Sequence, residues 1–157
     1  MRAWQKLGLL AVVGMGAMVT MAARQQRPAF TPEQEARLRI REVMEGLYLI
    51  PGFDGGQSGG NVAVRVTDGG VIIVDNKFPY SFEFITEQVR SVTEQPIKYV
   101  LNTHHHGDHT NGGQYFLEPG LEVVSTPYCR ERMLQRAASA AGGPDDPAYG
   151  NIPPIFE

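Results

Sequence analysis

The placement of its histidines constrains this chain more than any other feature. All four lie between positions 104 and 109, in Thr103-His104-His105-His106-Gly107-Asp108-His109, directly after the apolar run Ile97-Lys98-Tyr99-Val100-Leu101. On extended backbone leaving a strand, residues two apart point the same way. His104 and His106 therefore share a face, and His105 points away from it. Gly107 permits a tight bend, which brings Asp108 and His109 round from the loop that starts the next helix. Two imidazoles suit one zinc at about 2.0–2.1 Å, and a carboxylate with a third imidazole suits a neighbouring ion. Two-metal hydrolytic sites hold their ions about 3.5–4 Å apart, a span that adjacent donor pairs on one loop can cover. Such ligands imply metal-assisted attack of water on a carbonyl or phosphorus centre, with Asp108 holding the second metal or orienting the hydroxide. The alternatives are a solvated metal-scavenging tract and a satisfied buried cluster, and the strand, the glycine hinge and the Asp weigh against both. His105 on its own has no metal role in this reading.

The surrounding pattern is mixed α/β. Thr31-Pro32-Glu33 opens a helix with a hydroxyl N-cap, proline in the first turn and acids beside it. Leu38, Ile40, Val43 and Met44 extend its partly apolar face, so residues 24–44 read as a linker and a lead-in helix. Leu47-Tyr48-Leu49-Ile50 is a strand ended by Pro51-Gly52, and a flexible glycine-rich turn follows to Gly60. Val62 to Val66 and Val71 to Val74 form a hairpin across Thr67-Asp68-Gly69-Gly70. Its second strand is apolar on both faces and hence central. Ser81 can cap a helix running to about Thr93, and Pro96 precedes the strand that feeds the histidine loop. Val123-Val124 marks a further short strand. Residues 128–138 read as a helix with Arg130, Arg132 and Arg136 facing outward. Residues 139–157 form a loop rich in Ala, Gly, Pro, Asp and Asn.

The first 23 residues read as a targeting signal: a basic start at Arg2 and Lys6, an uncharged run over 7–23, and small residues at Thr20, Ala22 and Ala23. An uncleaved anchor over 7–23 is the competing reading, since about 17–25 apolar residues span a bilayer. Either way the domain is expected outside the cytoplasm, periplasmic or secreted, with membrane contact only through that segment. A net charge of -3 excludes a nucleic-acid surface, which needs clustered Lys and Arg. Cys129 stands alone, so no intrachain disulfide forms. It reads as a small buried hydrophobe, with a soft metal ligand or a nucleophile as the alternatives.

The run Asn102-Thr103-His104-His105-His106-Gly107-Asp108-His109-Thr110-Asn111-Gly112-Gly113 resembles the His-x-His-x-Asp-His loop of the metallo-β-lactamase-fold hydrolases. Val71-Ile72-Ile73-Val74-Asp75 resembles that superfamily's buried strand ending in Asp. The resemblance covers residues 45–138. It implies an αββα sandwich of which this chain supplies the N-terminal half, a mixed sheet with flanking helices. It also implies that His104 and His106 hold the first zinc, that Asp108 and His109 hold the second, and that Asp75 steadies a histidine from behind. A plain turn Asp is the alternative for Asp75. The superfamily takes further His and Asp ligands from its second half, and no histidine remains here to supply them. The expectation is thus a partial sequence, cut mid-domain in the loop 139–157, that leaves one sheet face without its partner layer. The function implied is an exported, zinc-dependent hydrolysis of a small carbonyl substrate (β-lactam, lactone or ester), with two ions in the complete protein and little activity in this chain alone. Iron or manganese would also accept these ligands. The alternative is a non-catalytic metal-binding or interaction half-domain.

Overall fold

A computed structural model describes residues 27–53, 56–116 and 119–139. The expected targeting segment at 1–23 lies outside the described residues, as does the terminal loop beyond 139. Within them the β-branched runs form one six-stranded sheet whose strands follow chain order: β1 (Arg41–Met44), β2 (Leu47–Ile50), β3 (Val62–Thr67), β4 (Gly70–Val74), β5 (Ile97–Asn102) and β6 (Glu122–Ser125). The first four are antiparallel, and β4, β5 and β6 run parallel. Parallel pairing needs crossover connections, and the chain supplies them. Helix α2 (Phe82–Arg90) joins β4 to β5, and the histidine loop with the short helix α3 (Gly107–Thr110) joins β5 to β6. Helix α1 (Pro32–Leu38) precedes the sheet and α4 (Pro127–Ser139) follows it.

Side-chain alternation sets the two faces of the sheet. Val64, Ile73 and Val100 stand in one row across three strands and are wholly buried, together with Ile85 and Val89 of α2. Burying each such side chain contributes about 1.5–3 kcal/mol. The opposite face carries the row Leu49, Ala63, Val74, Leu101 and Val124, matched strand to strand by register. All five are only partly buried. Strand β4 is therefore central, with one apolar face sealed and the other half-covered.

Three local expectations are corrected. The lead-in helix does not reach Met44: it ends at Leu38, and Arg39 is already extended at φ -65, ψ 142. Its start is as the sequence implied, with a reciprocal cap between Thr31 and Gln34. Residues 41–44 instead form an edge strand folded back on β2 through Glu45-Gly46, where Gly46 takes φ +68. Val43 and Met44 are exposed on that strand, so the sheet begins at Arg41, before position 45. The second helix starts at Phe82 after a 3-10 turn, Pro79–Ser81, and Ser81 makes no side-chain cap. That helix ends at Arg90 rather than Thr93. The third correction concerns Arg136, which does not face outward; it turns back to the histidine loop.

Candidate metal centre

The histidine loop leaves the carboxyl end of β5, a buried interior strand, where ligand sites of α/β sheets gather. Asp75 comes from the adjacent β4 end, held at φ +65. Its backbone N–H donates to the Leu101 carbonyl at 2.7 Å, so the two strand ends are locked together. The Asn76 N–H donates to the His109 carbonyl at 2.8 Å, and the Gly112 N–H to the Lys77 carbonyl at 3.1 Å. Gly112 has no alternative residue: a Cβ there would lie 2.1 Å from the Asn76 carbonyl oxygen.

The buried carboxylate of Asp75 organises the donors. Its Oδ1 accepts the Thr103 N–H at 2.8 Å, and its Oδ2 accepts the Thr103 hydroxyl at 2.8 Å and lies 2.7 Å from His109 Nδ1. A carboxylate accepts only, so His109 carries its proton on Nδ1 and presents an Nε2 lone pair. The Thr103 hydroxyl, having donated to Asp75, accepts from His104 Nδ1 at 3.0 Å. His104 then also presents an Nε2 lone pair. One acid thus sets two tautomers, one directly and one through Thr103. Burial, followed by the neighbouring imidazoles of His109 and His106, holds the His104 pKa below its usual 6.5. This favours the neutral ring, the form that binds metal.

The donor atoms converge in two couples. His104 Nε2 and His106 Nδ1 are 3.1 Å apart, and His109 Nε2 lies 3.3 Å from Asp108 Oδ2. Two ligands of one tetrahedral zinc at about 2.05 Å are separated by about 3.3 Å, so each couple fits an ion. In the second couple, a nitrogen lone pair facing a carboxylate oxygen is repulsive until a proton or cation stands between them. This donor set fits two divalent ions. Among the described residues, Asp75, His104 and His109 also form a cluster with ligand atoms within 4.8 Å. Both Asp75 oxygens already accept from Thr103 or lie against His109, an arrangement that suits a group supporting the ligands from behind. His105 makes no such couple, and its carbonyl is taken by Arg136. Cys129 is buried beside Met133, its thiol pushed up by burial, and it supplies no ligand atom to this cluster.

Sequence reading missed the scaffold around these donors. The Lys77 ammonium is buried and donates to the carbonyls of Pro51 at 3.0 Å and Ser58 at 2.9 Å, and to that of Gly60. This pins the glycine-rich loop. Gly60 then lies flat on His109, where an added Cβ would sit 2.4 Å from the ring. The adjacency of Asn76-Lys77 to Asp75 was the available signal, yet a lysine reads as surface by default.

Comparison with known proteins bears on the fold that carries these residues. The model of the metallo-β-lactamase superfamily matches residues 55–125. A solved structure described as the first B3 metallo-β-lactamase with an active-site glutamic acid is similar at 27% identity and TM-score 0.53, over 83% of this chain and 49% of that one. BJP-1, a subclass B3 metallo-β-lactamase of Bradyrhizobium japonicum, matches at 23% identity and TM-score 0.53, over 76% and 43%. A metallo-β-lactamase of Cronobacter sakazakii matches at 20% and 0.53, over 74% and 44%. The chain spans less than half the length of these structures.

Proposed function

Starting from a chain with the metallo-β-lactamase fold, we propose that it supplies the first-half metal site of an exported zinc hydrolase acting on a small carbonyl substrate. The observation that carries this reading is the pair of donor-atom couples, at 3.1 and 3.3 Å, backed by one buried carboxylate. His104 and His106 would hold the first ion, and Asp108 and His109 the second. When bound, such ions polarise the substrate carbonyl and lower the pKa of water from 15.7 to about 7. Asp108 would meet the second ion through Oδ2, leaving its other carboxylate oxygen to accept a hydrogen bond from the attacking water. Asp75 keeps His109 Nε2 and, through Thr103, His104 Nε2 free of protons.

Among substrates, a β-lactam is the first to test, because the similar structures are β-lactamases; a lactone or ester is next. The segment at 1–23 supports export. The chain holds four histidines, all in this loop. Turnover is therefore expected from the protein that joins this chain to further His and Asp donors, and not from residues 1–157 alone. Zinc titration of the chain should show uptake that His106→Ala weakens; equal weak binding by both refutes the metal site. The longer protein is then assayed on chromogenic β-lactam, lactone and ester substrates. Zinc uptake without turnover of any of them favours a non-catalytic metal-binding module.

A further inference from the structure

Helix α4 buries Cys129, Met133 and Ala137, while Arg136 reaches back from it to the histidine loop. Its Nη1 donates to the His105 carbonyl, and its Nη2 donates to Thr110 Oγ1 at 3.1 Å and Asn111 Oδ1 at 3.0 Å. Thr110 passes its own hydroxyl proton to the His106 carbonyl at 3.0 Å. That same carbonyl accepts the N–H groups of His109 and Thr110 at 3.0 and 3.1 Å. The acceptors bracket the two donor couples: His105 lies inside the first, and Thr110 and Asn111 directly follow the second.

We propose that Arg136 is a positioning residue for the metal loop, its guanidinium fixing the spacing between the His104–His106 couple and the Asp108–His109 couple so that both can be filled together. The inference rests on the reading of those four residues as metal donors. Helix α3 has four residues and no side-chain N-cap, so it cannot hold its own geometry. A planar fork with five donors in fixed directions can tie a carbonyl on one side to two side chains on the other. A lysine ammonium, a point donor on a flexible stem, cannot. The first couple sits close to the sheet end, with only Thr103 between β5 and His104. The second couple is held at its backbone by the Asn76 N–H on the His109 carbonyl and the Gly60 N–H on the Asp108 carbonyl, and Arg136 adds the tie from α4 that links the residues after it to the His105 carbonyl.

The test uses the full chain and its Arg136→Lys and Arg136→Gln variants. In the metal-free proteins, amide exchange at His109 and Thr110 should speed by about tenfold or more in both variants, with β4 and β5 protection unchanged. In cobalt(II) titrations followed by the visible spectrum, the first ion should bind nearly as in the parent and the second about 10–100-fold more weakly. A purely structural role would weaken both steps together. Unchanged exchange at His109 and Thr110, or two steps weakened equally, overturns the proposal. Should the Arg136 variants lose β4 and β5 protection as well, Thr110→Val, which removes one guanidinium acceptor in place, carries the same two readouts. A parent chain that takes up no cobalt refutes the metal-site reading, while the exchange measurement still decides whether Arg136 holds the loop.

Discussion

Replacing Asp75 by Asn isolates the chemistry of one carboxylate oxygen. The two side chains have nearly the same volume, and Asn tolerates the left-handed backbone that Asp75 adopts at φ +65. With the amide oxygen kept toward the Thr103 N–H, the amide NH₂ replaces Oδ2 and meets the Thr103 hydroxyl and His109 Nδ1, which both donate to Oδ2 in the parent. The hydroxyl can rotate to accept. His109 can relieve the clash only by moving its proton from Nδ1 to Nε2, the atom that faces Asp108. Hydrogen bonds to a charged group are worth about 1.5–3 kcal/mol and neutral ones about 0.5–1.5. Losing the charge on two such contacts while one is remade should cost the metal-free fold about 1–3 kcal/mol. A ligand in the wrong tautomer should weaken zinc binding by about 10–100-fold, the usual effect of losing a residue that supports a metal ligand. Urea unfolding measures the first quantity and competition with a chromophoric chelator the second. Imidazole nitrogen shifts in the metal-free protein report the tautomers directly. If His109 keeps its proton on Nδ1 in Asp75→Asn and zinc affinity stays within about twofold of the parent, the assignment of Asp75 is wrong.

Gly60→Ala should drive a methyl into His109, 2.4 Å from its ring, and destabilise the chain by about 1–3 kcal/mol with a parallel loss of zinc affinity; unaltered binding in a folded variant would show that the glycine loop does not seat that ring. Lys77→Met leaves the Pro51, Ser58 and Gly60 carbonyls without their shared donor, a loss of about 3 kcal/mol or more, read by urea unfolding. The pH dependence follows from His104, whose folded pKa lies below 6.5. Between that lowered value and 6.5 the unfolded chain binds more protons than the folded one, so metal-free stability should fall as pH drops below 6.5 and be flat above it where His104 is concerned. His104→Gln should flatten that slope in unfolding curves taken between about pH 5 and 7.

The amino-acid sequence by itself determined the strands around the site and the kind of chemistry available. The β-branched runs at 62–66 and 71–74 with Asp68-Gly69 between them require a hairpin, because the turn has a local backbone preference and the flanks a period of two. Alternation on extended backbone put His104 and His106 on one side, and their ring nitrogens do meet at 3.1 Å, although the chain bends over 103–105 instead of continuing the strand. Where long-range partners decide, the sequence was silent. Residues 41–44 carry apolar positions that suit a helix, and pairing with β2 makes them a strand. Arg136 and Lys77 read as solvated cations, and only the fold brings carbonyls from distant segments to their donors. Asp75 was divided between turn and support roles, and only the fold brings it against His109, 34 positions away. Local periodicity encodes which way a side chain points, while the partner it meets is set by packing between segments remote in the chain. The candidate donors could therefore be read from the sequence, whereas of the groups packed behind them only Asp75 was offered, as one of two readings.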